Sequence, residues 1–219
     1  MGLIDRLRFS YIDNESREEH FVGVPEEGGR DLIAQDPLPP GCVYGAAVTV
    51  EDKVAMHRVE VTRIPGGGKL KLAGSPDKAM RDSITTTFDY LRGRKRELGL
   101  EAEFDPYDFH VQVVDLMGSQ DGSAAGMAFF VAVYSLLKAK PVLPGLVVLG
   151  QATIQGHILG VRSLAEALQA IMDNGAKRVL LPTENKRHFL DVSGDVVEKV
   201  DPIFYSDPLT AAIKALGLN

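Results

Sequence analysis

The chain has 219 residues, of which 45% are hydrophobic and 25% charged, so it is long and apolar enough to bury a full core. Its 30 acidic and 24 basic residues are mixed along the chain and leave a formal net charge of -6. This distribution excludes an overall positive field that would recruit nucleic acid or an anionic membrane.

The start of the chain and its cysteine content indicate a cytoplasmic protein. The opening MGLIDRLRFS is too polar for a secretory signal, and no apolar run approaches the roughly 20 residues that cross a bilayer. Cys42 is the only cysteine, so an internal disulfide is excluded, as suits a reducing compartment. We expect a cytoplasmic chain with no membrane partner.

Residues 1–40 differ in composition from the rest of the chain. They are polar, rich in Glu and Gly, and end in DPLPP, whose prolines favour an extended or turning path. The sequence therefore predicts a polar N-terminal arm or linker over 1–40 and a folded domain over 41–219.

Strand patterns begin directly after this arm. CVYGAAVTV and MHRVEVTRI are rich in β-forming residues, PGGG is a turn, and KLKLAG alternates as a half-buried strand does. These segments predict a small antiparallel sheet. Further strands are expected at FHVQVV, GLVVLG, KRVLLP and DPIFYS.

Helix start and stop signals mark two helices clearly. The first has Ser75 as its N-cap, Pro76 at its first position and Gly99 just past its end. In the second, SLAEALQAIMDNG, Ser163 and Glu166 are predicted to form a capping box.

Another helix is expected to end near Lys138, and a closing helix to begin after the N-cap Asp207. The helix that ends near Lys138 is predicted to be amphipathic, with an apolar stripe at Ala125, Phe129, Ala132 and Leu136. Strands alternate with helices through the second half of the chain. The expected class is α+β (mixed α/β), with helices packed on a mixed sheet.

Two cationic motifs have ordinary structural explanations. GGGKLK resembles a phosphate loop, but Lys69 is followed by Leu and a strand, whereas a P-loop continues with Ser or Thr and a helix. The run RGRKR (92–96) falls in the last turn of a helix, where cations complement the helix dipole and face water. Contact of this run with phosphate groups in a larger assembly stays open.

The five histidines show no pair at metal-ligand spacing, so the sequence predicts no metal site. A catalytic triad is assembled in space rather than in sequence. A triad of Ser119 or Ser123 with His110 or His157 therefore stays open at this stage.

Long motifs resemble the proteolytic domain of Lon, the Ser-Lys peptidase attached to an AAA+ motor. The Lon pattern DIHVHVPEG...KDGPSAG matches DFHVQVVDL...QDGSAAG, and TIQGHILGVRSLAEALQAIMDNGAKRVLLPTENKR matches a second Lon stretch. Three segments in particular resemble the Lon-like C-terminal domains of BREX phage-defence proteins: DLMGSQDGSAAG, VRSLAEALQ and YSDPLTAAIKALG. The resemblance implies a Lon-type proteolytic fold over nearly all of the chain after residue 40.

The resemblance also implies where a Ser-Lys dyad would lie. The serine position holds Ala124 and the lysine position holds Ala167, so neither the nucleophile nor the general base is present. Asp121, Gly122 and Ser123 precede the serine position and are expected to line the site. Ser123 is the nearest hydroxyl, but a shift of one residue at a helix start turns a side chain by about 100°.

Three further departures surround this degenerate site. Lys138, Arg162 and Ser163 are expected to line it, and a Gly-Gly pair of Lon aligns with Arg162 and Ser163. Because these neighbours have changed as well, natural loss of the dyad is favoured over engineered removal. A third alternative is that Lys138 acts as a substitute base with Ser123.

The leading hypothesis is a binding and oligomerisation module without hydrolytic activity. The resemblance implies a homo-oligomer, a six-membered ring, that belongs to a longer AAA+ parent chain and faces polypeptide. ATP and Mg are expected only in the AAA+ module, with no cofactor in this domain and DNA reached only through the parent assembly. The alternative is an ATP-dependent Lon-type serine endopeptidase domain that substitutions have inactivated.

Overall fold

A computed structural model describes residues 32–49, 51–118 and 124–218, together with the backbone of 8–12 and 19–23. In chain order the strands are β1 Arg8–Ile12, β2 Glu19–Gly23, β3 Cys42–Val48, β4 Val54–Pro65, β5 Leu70–Ala73, β6 Tyr107–Asp115, β7 Leu146–Leu149, β8 Gln151–Ala152, β9 Ile158–Leu159, β10 Arg178–Pro182 and β11 Asp201–Tyr205. The helices are α1 Lys78–Arg94, α2 Glu101–Phe104, α3 Gly126–Leu137, α4 Leu164–Asp173, α5 Lys186–Phe189, α6 Gly194–Lys199 and α7 Pro208–Ala215, and a 3-10 turn, Thr183–Asn185, precedes α5. In this part of the chain, no helix is both long and apolar enough to cross a bilayer.

The chain divides into two compact units, 1–31 and 32–219. In the first unit, β1 and β2 pair antiparallel. Residues 32–40, which the composition assigns to the arm, pack with the second unit, where Ile33 is fully buried and its N–H donates to Asn174 O at 3.1 Å. A division of the chain at residue 40 stays a prediction.

A seven-stranded mixed sheet forms the centre of the second unit, in the order β11-β10-β7-β3-β4-β6-β5. β11, β10, β7 and β3 pair parallel, whereas β3, β4 and β6 pair antiparallel. The prediction that KLKLAG belongs to a separate small sheet is wrong, because β5 pairs parallel with β6 at the edge of the large sheet. The separate small antiparallel sheet in this unit is the ribbon of β8 and β9.

Helices cover both faces of this sheet and create two apolar cores. α1, α3 and α7 pack on one face, and α4 and α6 on the other. Successive residues of β7 alternate between the cores: Val148 joins the first and Val147 the second. β7 is therefore buried on both faces, as its continuous apolar sequence requires. The predicted α+β class, with helices on a mixed sheet, is confirmed.

The helix α3 runs through the first core rather than along its edge. Eleven of its twelve residues are buried, and the exception is Leu136, so the predicted amphipathic stripe, which included Leu136, is wrong. A helix that is apolar all round belongs inside a protein. At its start Gly126 allows α1 to approach closely, since a Cβ there would lie 2.7 Å from Thr87 Oγ1 and 2.8 Å from Ser83 Oγ.

The first long helix starts later and ends earlier than its sequence signals predict. Its N-cap is Asp77, whose carboxylate accepts a hydrogen bond from Met80 N at 2.7 Å, so the prediction of Ser75 is wrong by two residues. The regular helix ends at Arg94, and the chain reaches a left-handed glycine at Gly99 (φ 64°) through a further turn.

Candidate functional site

A cleft of about 280 Å³ lies where β3 and β7 diverge. The parallel pairing of these strands ends at Ala46 and Leu149, but β3 continues to Val48 beside β4. The edge of Ala47 and Val48 that faces away from β4 consequently has no strand partner among the described residues. The described residues that line the cleft are Ala46, Ala47, Val48, Ala124, Gly150, Gln151, Leu159, Gly160, Val161 and Arg162.

The two positions that replace the dyad have different surroundings. Ala124 lines the cleft just before the first turn of α3, and its residue is 7% exposed. Ala167 lies one turn into α4, is fully buried and is not among the described lining residues. The predicted site residues Asp121, Gly122 and Ser123 lie outside the described residues.

Arg162 lines the same cleft as Ala124, and it is an exposed residue. The backbone next to it is held by Asn185, a buried residue of the 3-10 turn. Asn185 Oδ1 accepts from Val161 N at 2.8 Å, and Asn185 Nδ2 donates to Val161 O at 2.7 Å. This paired contact satisfies both main-chain groups of Val161 and fixes the wall that carries Arg162.

Ser163 follows Arg162 in a left-handed conformation (φ 45°) and makes no side-chain cap bond to α4. Its Oγ instead donates to Asp52 Oδ1 at 3.3 Å, and Asp52 is itself left-handed (φ 57°). The predicted capping box of Ser163 and Glu166 is therefore wrong. Two strained residues in contact beside a cleft are a pattern that structures retain at functional sites.

Lys138 lies at the opposite end of α3 from Ala124. Fourteen residues of helical rise separate the two positions by roughly 20 Å. Lys138 Nζ donates to Gly99 O at 3.1 Å and lies 5.8 Å from the centre of the Tyr134 ring. The structure thus places Lys138 away from the cleft.

Acid-base groups are missing from the described wall of the cleft. Among its described residues there is no hydroxyl, thiol, amine, imidazole or carboxylate, and the polar side chains are the Gln151 amide and the Arg162 guanidinium. His110 lies on β6, one residue from Phe109 and Val111, so it points away from the core that contains α3. His157 is exposed near the β8–β9 turn. Ser119, like Ser123, lies outside the described residues.

His57 is a buried imidazole that the sequence reading did not select. It lies opposite Asp115 on β6 and opposite Gly45 on β3. A Cβ on Gly45 would lie 2.5 Å from His57 Nε2 and 2.8 Å from the Ala128 methyl, so Gly45 leaves the space that the ring occupies. Neither ring nitrogen has a hydrogen-bond partner within the described part of the chain. Burial lowers the pKa of His57 to about 4, although the Asp115 carboxylate opposes this shift.

The GGGK turn is filled by the protein's own carboxylate. Asp108 Oδ1 accepts from Gly67 N at 2.8 Å and from Lys69 N at 2.9 Å. These two backbone hydrogen bonds lower the pKa of Asp108 below its usual value. A Cβ on Gly66 would lie 2.3 Å from the Asp108 carboxyl carbon, so the glycine is needed for this approach.

The RGRKR run is neutralised within the chain. Arg92 pairs with Asp89, Arg94 with Glu97, Lys95 with Asp105 and Arg96 with Glu101. All four cations thus have an acidic partner, and the run offers no free basic stripe. The described residues also contain no cluster of three metal-ligating side chains.

Sequence reasoning missed Gln151, Asn185 and His57. Asn185 lies in the ENKR stretch of the Lon-like motif, which could have indicated a buried polar role. His57 carried a weaker signal, a single histidine inside an apolar strand. No local signal points to Gln151, since its place in the cleft depends on how the chain leaves the large sheet after β7.

Comparison with known proteins identifies this architecture. The sequence model of the Lon protease (S16) C-terminal proteolytic domain matches residues 14–215. A Lon-like protease BrxL of Escherichia coli O9:H4 (strain HS) is 38% identical over 97% of this chain and 31% of its own length. A Lon-like protease BrxL of Bacillus cereus (strain H3081.97) is 33% identical over 97% of the chain and 32% of its length. A Lon protease of Escherichia coli (strain K12) is 34% identical over 90% of the chain and 22% of its length.

The chain spans about a third or less of the length of these curated relatives. The resemblance to Lon and to the Lon-like BREX domains, which the motifs around residues 108–126 and 153–187 carried, is confirmed by these matches. Because the family model covers nearly all of its residues, the chain belongs to the family of Lon protease (S16) C-terminal proteolytic domains.

Proposed function

We propose that this domain is a Lon-type proteolytic fold that binds polypeptide without hydrolysing it and serves as an oligomerisation module of an AAA+ Lon-related protein. One observation carries the proposal. The described wall of the cleft at Ala124 contains neither a nucleophile nor a general base. Peptide hydrolysis by a Ser-Lys site needs both, because the base must take the proton of the attacking hydroxyl.

The surroundings of the cleft support the loss of chemistry. The methyl group of Ala124 cannot attack a carbonyl, and Ala167 has no amine to accept a proton. Lys138, the lysine considered as a substitute base, is held at the far end of α3 by Gly99 O. The open edge of Ala47 and Val48 still suits an extended peptide, which can add main-chain hydrogen bonds to such an edge.

The assembly part of the proposal rests on family membership. We expect six copies in a closed ring, with head-to-tail contacts between neighbours. Leu190, 82% exposed, and Ile154, 59% exposed, are apolar side chains that such contacts would cover. ATP and Mg belong to an AAA+ module of the parent chain in this proposal, and contact with DNA also belongs to the parent assembly. We place the parent protein in the cytoplasm.

A second candidate is an ATP-dependent Lon-type endopeptidase domain that two substitutions have inactivated. It is favoured by the location of Ala124, which lines the cleft at the start of α3 where the resemblance puts the nucleophile. In this alternative the remaining residues of the site would still support catalysis.

Restoring both side chains separates the two candidates. We expect the unmodified chain to leave casein and a fluorogenic peptide intact, and Ala124→Ser with Ala167→Lys to stay inactive because Arg162 and Ser163 have changed the site. The single Ala124→Ser variant is the control. Immediate peptidase activity of the double variant would establish the second candidate, and turnover by the unmodified chain that disappears on Ser123→Ala would refute the loss of chemistry. Native mass spectrometry tests assembly: a six-copy mass is expected, and a monomer contradicts the ring.

A further inference from the structure

We infer that the cleft selects a carboxylate on the polypeptide that it binds, and that Arg162 is the residue that recognises it. The inference rests on the proposed function, since it names the chemistry of the peptide that the domain holds. The carboxylate is the side chain of Asp or Glu or the C-terminal group of the peptide.

The first argument is that the Arg162 guanidinium has no partner among the described residues. No hydrogen bond or ion pair engages it within the described part of the chain, whereas Arg92, Arg94, Lys95 and Arg96 each contact an acid. A guanidinium always carries its charge and presents donors in a planar fork. The group it fits best is a carboxylate, which it binds through two parallel hydrogen bonds.

The second argument is the composition of the cleft around this charge. Arg162 is the cation among the described lining residues, and no acid among them neutralises it. The other described lining residues are aliphatic residues, glycines and Gln151. Among the described residues of the cleft this leaves one uncompensated positive charge, which attracts an incoming anion.

The third argument is that both residues next to Arg162 are held before a ligand arrives. On one side Asn185 binds both main-chain groups of Val161 at 2.7–2.8 Å. On the other side Ser163 is left-handed and hydrogen-bonds to Asp52. A fixed main chain lowers the entropy lost on binding. The Gly-Gly pair that the Lon pattern has at this point would carry no side chain toward the cleft.

Polypeptide fits these observations better than nucleic acid. A nucleic-acid site places several free cations along the phosphate backbone, whereas this cleft has one described cation and the chain carries a net charge of -6. The open strand edge at Ala47 and Val48 offers main-chain partners to an extended peptide. The cleft volume of about 280 Å³ also suits a short segment held at one side chain.

Fluorescence anisotropy with three labelled heptapeptides tests the inference. The first has a central Glu and an amidated C-terminus, the second has Gln instead of Glu, and the third combines Gln with a free C-terminal carboxylate. We expect the full chain to bind either the Glu peptide or the free-carboxylate peptide about tenfold more tightly than the neutral one. The peptide that binds more tightly identifies the source of the carboxylate. Arg162→Gln should remove this difference. Arg187→Gln, at an exposed arginine of α5 outside the cleft, should preserve it.

Several outcomes contradict the inference. Equal affinities for all three peptides overturn it, and so does a lack of measurable binding by any of them. A carboxylate preference that survives in Arg162→Gln overturns it as well. Tighter binding of a single-stranded oligothymidine than of the acidic peptides shows that the cleft takes phosphate instead. Mass spectrometry of the recovered peptides separates the two proposals: cleaved peptide refutes the non-hydrolytic function, whereas intact peptide bound without carboxylate preference refutes this inference alone.

Discussion

At the scale of single residues, His57 is the most unusual group in the core. The residue is 3% exposed, both ring nitrogens lack partners among the described residues, and the buried Oδ2 of Asp115 on the facing strand has none there either. Asp115 Oδ1 accepts from Met117 N and Gly118 N and so shapes the turn after β6. The neutral imidazole and this carboxylate thus lie at the base of the segment that leads to Ala124.

The buried imidazole predicts a specific pH dependence of stability. Its pKa is about 4 in the folded chain and near 6.5 when unfolded, so between these values the unfolded chain binds a proton that the folded chain does not. The contribution of the neutral imidazole to the free energy of unfolding is fully present above about pH 6.5 and is lost as the pH falls toward 4. The loss should reach about 3 kcal/mol. Urea titrations at several pH values would measure it.

Two leucine variants isolate this contribution. His57→Leu should flatten the stability profile between pH 6.5 and 4, whereas His157→Leu, at an exposed histidine, should leave the profile unchanged. If His57→Leu loses as much stability with falling pH as the unsubstituted chain, another group is responsible.

How far the site was predictable also depends on particular residues. The motif resemblance selected Ala124 and Arg162, which line one cleft, but it also selected Lys138, which lies roughly 20 Å away along α3. The motif resemblance alone does not show this separation, but the predicted helix does, because Ala124 and Lys138 lie at its two ends. Ser163 illustrates a second limit: its side chain bonds Asp52, a residue 111 positions away, instead of capping its own helix.

At the scale of elements, the crossing of α1 and α3 depends on Gly126. A methyl group there would meet Thr87 Oγ1 and Ser83 Oγ at 2.7–2.8 Å. We predict that Gly126→Ala lowers the free energy of unfolding by about 1–3 kcal/mol, because an overpacked contact forces the helices apart. Thermal or urea unfolding followed by circular dichroism would measure the change.

Gly93 of α1 provides the matched control. A Cβ on Gly93 meets no atom within 4 Å, so Gly93→Ala should raise stability by about 0.5–1 kcal/mol through the better helix propensity of alanine. Equal effects of the two substitutions would show that helix propensity rather than packing decides both.

Elements whose signal is local were predicted well, and those decided by distant partners were not. The closing helix begins as expected, with Asp207 Oδ1 accepting from Thr210 N at 2.9 Å. The strand β5 was recognised as a strand, but its parallel partner β6 lies beyond α1 in sequence, and no local pattern encodes that choice. The burial of α3 was missed because its all-round apolar surface also contains a 3.6-residue stripe.

At the scale of the whole molecule, truncation tests where the folded unit begins. The core of the second unit includes Ile33, and the Tyr44 hydroxyl accepts from Ala34 N at 3.2 Å. We expect a chain of residues 32–219 to unfold cooperatively, and a chain of 41–219 to be less stable by about 2–5 kcal/mol because it loses a buried isoleucine. Differential scanning calorimetry would compare them. Equal melting temperatures would place the start of the folded unit at residue 41.

The burial of α3 has a consequence for how the cleft can adapt. One wall ends in Ala124, which is anchored to a helix enclosed by the sheet, α1 and α7. Leu159, which also lines the cleft and is 47% exposed, belongs to the short ribbon of β8 and β9. Room for a larger peptide must therefore come from movement of the ribbon, because the helical side is fixed by its packing. Substitutions in the ribbon can therefore change which peptides the cleft accepts without disturbing the core around α3.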